Sequence, residues 1–497
     1  MTYRVFSEIA DEATHVGAGL ELIELHRNLL HRENPPLPRL VLAAAPYLGG
    51  MRFNANAPTY SSQLHSVFYD RGEYERNLLL ARAGNLVFFI IAALALAAWT
   101  RRELGDVASI IATLLFTTQP ILLGYSALAT HEAASLAGIA VVLLAMSRWL
   151  EERSNARTAQ LALAFGFSVL CKFSCLGFAP LACAAIYVVR FARDSNLRRT
   201  FARDAVRIVA IVPPLATLAI WAGYGFTIGR IANLPPWYGK FSGWTLIDPN
   251  RIVPAPTFFV GLSRVVEVSS GGYRAYAFGE VTTSGWWWYF PAAVALKTTL
   301  AFLLLVVIGA RWGKWNAMEG LAASLAMLAI AMTSKLDIGV RYVLPMYVPL
   351  TFAAAACATA MLRDARRVIR ATAIAMLATH VVVSAIAHPD YFPFFNALAG
   401  REPSRRLIDS NIDWGQDVLR LRAALTELHV THVSTALMGP ADLDALGFPE
   451  HDYASPVQPS RGWIAVSEGA IRLMGWSWLA DRPHRKIGRS IRLYYVR

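Results

Sequence analysis

Residues 85–99 read NLVFFIIAALALAAW, fifteen positions with no charged side chain. A helix rises 1.5 Å per residue, so about 20 such residues cross the hydrocarbon core of a bilayer. Runs of the same kind recur at 206–226 (VRIVAIVPPLATLAIWAGYGF), 292–310 (AAVALKTTLAFLLLVVIGA) and 347–362 (YVPLTFAAAACATAML). The whole chain has 497 residues, 55% hydrophobic and 16% charged, where a soluble domain carries about 25% charged residues. The reading is an all-α polytopic membrane protein.

Ten spans are expected, over 85–100, 107–125, 133–150, 159–172, 174–190, 206–224, 289–310, 317–333, 343–361 and 370–388. Between them, five short loops are rich in arginine: Arg101–Arg102; Arg148, Arg153 and Arg157; Arg190, Arg193, Arg198, Arg199 and Arg203; Arg311 with Lys314; and Arg363, Arg366 and Arg367. Loops of this kind face the cytoplasm. The net charge of +13 is therefore assigned to membrane topology, and a nucleic-acid partner is rejected. The stretch CKFSC (171–175) is read as a break between two spans. One tilted span there would invert everything downstream and spoil the charge bias. Cys171, Cys175, Cys183 and Cys357 all lie in apolar segments without zinc-type spacing, which suits packing.

The opposite, external side receives residues 1–84, about 225–288, the turn 334–342 and everything after 388. An N-terminal segment needs a signal or a preceding span to cross. The expectation is that the start lies upstream and that one span is missing, making eleven. The domains are then 1–84, a first external loop; 85–388, the membrane domain with an external loop at 225–288; and 389–497, a periplasmic α/β cap. In that cap, VTHVSTALM (430–438), GWIAVSE (462–468) and SIRLYYV (490–496) read as strands beside a helix at 415–428.

The external segments hold the ionisable residues. Asp11 or Glu12 suits a helix N-cap, and His15 shares a helix face with both. That face could hold a base or a metal. Glu33 and Asn34 precede Pro35–Pro36, which force an extended backbone before a short amphipathic helix over 37–48. His131 and Glu132 open the span at 133–150. Glu280 precedes a tryptophan belt, Trp286–Trp288 with Tyr289. Lys297 lies two turns into the membrane, placed to snorkel. Asp337 and Arg341 crowd one external turn with Tyr342. They could pair with each other, or the cation could hold a lipid phosphate.

These segments, in this order, resemble bacterial phospholipid-carrier-dependent glycosyltransferases of glycosyltransferase family 39. That group includes protein O-mannosyltransferases and aminoarabinose transferases of the GT-C fold. The pieces are Asp11–Glu12 with His15 and Gly19; Pro35–Pro36–Leu37; ALATHE (127–132); LCKFS (170–174); GEVTTSGWWWYFP (279–291); LDIGVRYVLP (336–345); HPDYFPFFNALAG (388–400); and DSNIDWGQD (409–417). Asn34 stands where the family usually has His or Lys, Glu132 where it usually has Asp, and GVRY where it has a GHRY-like turn.

The resemblance implies a GT-C fold and a sugar donor linked to polyprenyl phosphate, used at the outer face of the cytoplasmic (inner) membrane. The acceptor hydroxyl would lie on a glycan, lipid or protein. It also implies roles. Asp11 is the base, Glu12 its partner, and Glu132 positions the acceptor or supports the base. Arg341, with Lys172 and Tyr342 as further candidates, faces the donor phosphate. His15, Glu33, Glu280 and Asp413 are accessory or acceptor-side candidates. No cofactor is fixed by the resemblance. A divalent metal is left open, with His15, Glu12 and His131 as candidate ligands. The rival class is a transporter or flippase of lipid-linked glycans. Transporters keep ionisable residues mid-membrane and often repeat internally. Here the spans are nearly charge-free and no repeat is visible.

Overall fold

Lipid offers no hydrogen bonds, so an apolar segment must satisfy its backbone internally, and a helix does this alone. In the computed structural model, which describes residues 4–54, 60–69, 72–233 and 247–497, each of the ten expected segments is helical over most of its length, with breaks at 118–119 inside 107–125 and at 298–299 inside 289–310. The first loop carries α1 (Glu12–Leu25), α2 (Pro36–Leu48) and α3 (Tyr60–Tyr69). Pro35 is extended, and α2 starts at Pro36, where the missing N–H is no loss. α2 is clamped between α1 and α4 (Tyr74–Leu104). A Cβ on Gly19 would strike the carbonyl of Arg39, and one on Gly84 the carbonyl of Val41, so both close approaches need glycine.

α5 (Asp106–Thr117) and α6 (Pro120–Ser126) meet at a 62° bend, placed by the proline that opens α6. α7 (Glu132–Glu151), α8 (Asn155–Cys171), α9 (Cys175–Arg193) and α10 (Ser195–Gly223) follow. α8 and α9 are separate, as the break at CKFSC requires. A hairpin of β1 (Ile228–Arg230) and β2 (Ile252–Pro254) leads to α11 (Pro256–Gly271) and a second hairpin, β3 (Ala275–Ala277) with β4 (Glu280–Thr282). α12 (Tyr289–Lys297) and α13 (Leu300–Ala331) come next. Helical geometry breaks at Lys314, with φ 46° and ψ −134°, which parts α13 into 300–313 and 315–331. A 3-10 turn, Val340–Met346, runs into α14 (Tyr347–Leu362), and α15 (Arg367–Ala387) ends the bundle.

Among the described residues, seven helices are long and apolar enough to cross a membrane, eight with the bent α5–α6 pair. The difference from ten has two sources. α8 has only 17 residues, and α13 counts once although Lys314 divides it. The chain is a multi-pass membrane protein. Its centre is set by α7 and by the 340–362 segment, 78% and 94% buried, while α10 and α15 form the rim at 6% and 17%. Glu132 opens the first of these central helices and Arg341 the second.

Lys297 departs from expectation. It is fully buried, and its ammonium donates to the carbonyls of Phe392 (2.9 Å) and Asn411. Two carbonyl acceptors inside the protein replace the water that snorkelling would reach.

After the bundle comes a small sheet domain. α16 (Val418–Glu427), β5 (His432–Ala436), β6 (Glu450–Tyr453), β7 (Gly462–Ser467), α17 (Glu468–Met474), β8 (His484–Ile487) and β9 (Ile491–Val496) follow in sequence. The strand order is β6-β5-β7-β9-β8, parallel at β6–β5–β7 and antiparallel at β7–β9–β8. Alternation sends Ile464, Val466 and Tyr494 to one face, and Val433, Ala465 and Leu493 to the other. Leu421 and Leu425 of α16 pack on the second face. β6 and β8 escaped the sequence reading because both are charged edge strands, EHDY and HRKI, the usual protection of an open sheet edge.

Candidate active site

Four stretches of chain deliver charged side chains to one place. Asp11 stands at the N-cap of α1 but makes no capping bond. Its Oδ2 instead accepts a 2.6 Å hydrogen bond from Arg341 Nη1. Glu132, the first residue of α7, lies 3.9 Å from the same Nη1. Its Oε1 also accepts from Lys172 Nζ at 3.2 Å, and Lys172 projects from the end of α8. Tyr342 accepts from Arg341 Nη2 at 3.3 Å, and Lys172 Nζ sits 5.5 Å from its ring centroid. The Arg341 guanidinium stacks 4.3 Å over Trp414, an aromatic face that holds a cation without neutralising it.

Two carboxylates and two cations thus share one site. They differ in access: the Asp11 side chain is 28% exposed and that of Glu132 only 4%. Glu132 Oε2 and Arg341 Nε are buried without partners among the described residues. Unpaired buried groups are uncommon in folded proteins and mark a place where a ligand can supply the missing bonds.

Glu12 has a different position from the one expected. Both its oxygens are taken by Arg82, Nε and Nη2 each at 2.7 Å, and by the amides of Ala129 (2.8 Å) and Ile9 (3.1 Å). Both side chains are fully buried. A carboxylate so saturated has no lone pair for an acceptor proton. Glu12 ties the first loop to α4 and to the turn before α7.

The histidines form a row beside the cluster. His15 Nε2 is 3.2 Å from His31 Nε2, and His31 Nδ1 is 3.2 Å from Glu33. The His131 ring lies 3.8 Å from that of His15, centroid to centroid. Burial, then the nearby cations, pushes the basicity of His15 well below the ordinary histidine value, and His131 likewise. Both are neutral at physiological pH.

The metal candidates do not converge. Glu12 is consumed by Arg82, and the His15 and His131 rings lie tilted against each other at 60°. Among the described residues no group of three or more His, Cys, Asp or Glu could hold a metal ion.

Three other expected residues stand apart. Glu33 flanks the histidine row, Glu280 is exposed on β4, and Asp413 is buried with its Oδ2 accepting from the Gly469 amide at 2.6 Å. Nor do Asp337 and Arg341 pair, because Asp337 Oδ2 accepts the Trp286 amide at 2.5 Å.

Sequence reasoning missed Arg82, His31, Asp409 and Trp414. Arg82 had a signal, a lone charge running into an apolar helix. Asp409, with φ 58°, is pushed up to about 6 by burial, against the pull of Arg341.

Residues 75–221 match the family model described as dolichyl-phosphate-mannose-protein mannosyltransferase. The match is to a glycosyltransferase family. It agrees with the resemblance carried by the motif series. Glu132 and Lys172 lie inside the matched segment, whereas Asp11 and Arg341 lie outside. No curated protein matches the sequence. Three solved structures illustrate the structural likeness. ArnT from Cupriavidus metallidurans bound to undecaprenyl phosphate is 13% identical with a TM-score of 0.47, over 99% of this chain and 95% of its own. The apo oligosaccharyltransferase of Archaeoglobus fulgidus is 15% identical with a TM-score of 0.44, over 86% and 55%. AglB of the same organism, in complex with an inhibitory peptide and a dolichol-phosphate, is 13% identical with a TM-score of 0.43, over 96% and 68%.

Proposed function

We propose that the chain transfers a sugar, with inversion, from a polyprenyl-phosphate donor to an acceptor hydroxyl at the periplasmic face of the cytoplasmic membrane. The observation that carries this reading is the Asp11–Arg341–Glu132–Lys172 cluster, with one partly exposed carboxylate beside two cations.

Asp11 takes the proton of the acceptor hydroxyl. The oxygen attacks the anomeric carbon from the face opposite the phosphate. The bond from that carbon to the phosphate oxygen breaks, and its electron pair leaves with polyprenyl phosphate. The phosphate changes from a diester with one negative charge to a monoester approaching two. Arg341 and Lys172 hold that developing charge in a site already organised around them. When the donor phosphate draws the Arg341 fork to itself, Asp11 is released from its ion pair and can face the acceptor hydroxyl. Glu132 keeps Lys172 in place and lines the acceptor side. The sheet domain after residue 388 contributes to the choice of acceptor.

The test supplies a panel of polyprenyl-phosphate sugars to the purified protein and follows release of polyprenyl phosphate for wild type and Asp11→Asn. Turnover with one donor, lost in the folded variant, supports the transferase and its base. Turnover that survives the change removes Asp11 from that role. Flux of a lipid-linked glycan without any release favours a flippase.

A further inference from the structure

α7 runs 20 residues from Glu132, about 30 Å at helical rise. At its far end a second charged site lies outside the cluster just described. Asp204 of α10 is 1% exposed. It accepts from Thr200 Oγ1 at 2.7 Å. Arg153 Nη1 and Arg207 Nη1 each stand 3.4 Å away, and Arg203 Nε 4.0 Å. Three guanidiniums therefore meet one carboxylate. The neighbouring Arg190 and Arg193 are matched by Glu103 and Glu319, whereas at the Asp204 corner the guanidiniums outnumber the carboxylate. Arg203 carries it outward, 67% exposed.

An apolar groove of about 430 Å³ reaches this corner, lined by Met146, Phe165, Pro180, Ala184 and Ile208 and by Asp204, the carboxylate that the arginines surround. Its α10 wall belongs to the bundle's rim, so it opens sideways to the bilayer. Any hydrocarbon can fill an apolar slot. The guanidiniums around Asp204 make a stricter demand, because they favour an anionic headgroup over one that carries its own ammonium.

We propose that this groove binds one anionic phospholipid of the leaflet on the arginine-rich side, with its phosphate on Arg203 and Arg207 and one acyl chain between α8, α9 and α10. The site is independent of the transfer chemistry. Basic pockets between membrane helices recognise anionic headgroups in this way.

The test is native mass spectrometry of the full chain in mild detergent. Phosphatidylglycerol is offered against phosphatidylcholine with the same chains, and inorganic phosphate is the competitor. One phosphatidylglycerol per chain should be retained with about tenfold preference, undisturbed by phosphate. Arg203→Gln should abolish the preference. Ala184→Phe, which fills an exposed part of the groove, should expel the lipid of either class. Both positions are exposed, so both variants should keep the wild-type unfolding temperature. Equal retention of the two lipids, or a preference that survives both substitutions, would overturn the proposal. Displacement by phosphate alone would also overturn it, in favour of a free-anion site.

Discussion

Arg341 and Asp11 are 330 positions apart in the chain, and a 2.6 Å ion pair joins them. The bond links the start of α1 to the turn that enters the most enclosed segment of the bundle. The same guanidinium reaches towards Glu132, so one cation serves two carboxylates from different loops. A phosphate arriving there competes with both. In the proposed transfer, the cation that binds the donor is thus the one that restrains the base.

Arg341→Lys keeps the charge but loses the planar fork that serves two carboxylates and stacks on Trp414. Polyprenyl phosphate release should fall about a hundredfold or more, the usual loss when one charge-stabilising donor is removed. Assay of release under saturating donor checks it. Near-normal turnover in the lysine variant would move phosphate stabilisation to Lys172.

Asp11 and Glu12 are adjacent yet should behave oppositely. Asp11→Asn leaves a quarter-exposed side chain with a neutral acceptor for Arg341, so folding should survive and turnover should collapse. Glu12→Gln leaves Arg82 charged and fully buried. Losing one partner of a buried pair costs about 3–5 kcal/mol. Thermal unfolding in detergent should show the loss for Glu12→Gln only.

The contrast between these neighbours marks where the sequence stops being legible. The spans were readable because apolar length is a local property. The three readable strands, β5, β7 and β9, are the apolar interior of the sheet, while β6 and β8 look like polar loops. The site residues Asp11, Glu132, Lys172, Arg341 and Tyr342 were visible as ionisable or aromatic groups in external turns. The direction each side chain takes was not. Asp11 and Glu12 differ by about 100° around a helix, which turns one to Arg341 and the other to Arg82. The Asp337–Arg341 pairing failed for a similar reason, since a closer donor, the Trp286 amide, competes for Asp337.

Asp413 gives a pH dependence. Burial pushes its carboxyl from the ordinary 3.8 up to about 7, against the Gly469 amide that favours the ionised form. Between these values the folded chain holds a proton that the unfolded chain has released. The stability tied to this group is complete below the unfolded pKa and falls as pH rises to about 7. Glu8, raised by burial to about 7, adds in the same direction. Unfolding temperature should drop by several degrees from pH 5 to pH 8. Asp413→Asn, combined with Glu8→Gln, should flatten the profile. An unchanged slope would place the titration elsewhere.

Lys172 and Glu132 permit a separation of folding from chemistry. Their 3.2 Å contact is nearly closed to water, with the side chains 12% and 4% exposed. Lys172→Met alone leaves the carboxylate of Glu132 only the longer 3.9 Å contact with Arg341, and Glu132→Gln alone strands the ammonium. Each should cost stability, because an unpaired buried charge is worse than no charge. The double variant Lys172→Met/Glu132→Gln removes both charges, so it should recover much of the stability, with a coupling energy of about 0.5–3 kcal/mol. Turnover should not recover, because the phosphate has lost a cation. Unfolding and release assays on the same four proteins decide it. If release returns together with stability, Lys172 serves only to hold α8 against α7, and Arg341 alone carries the leaving group.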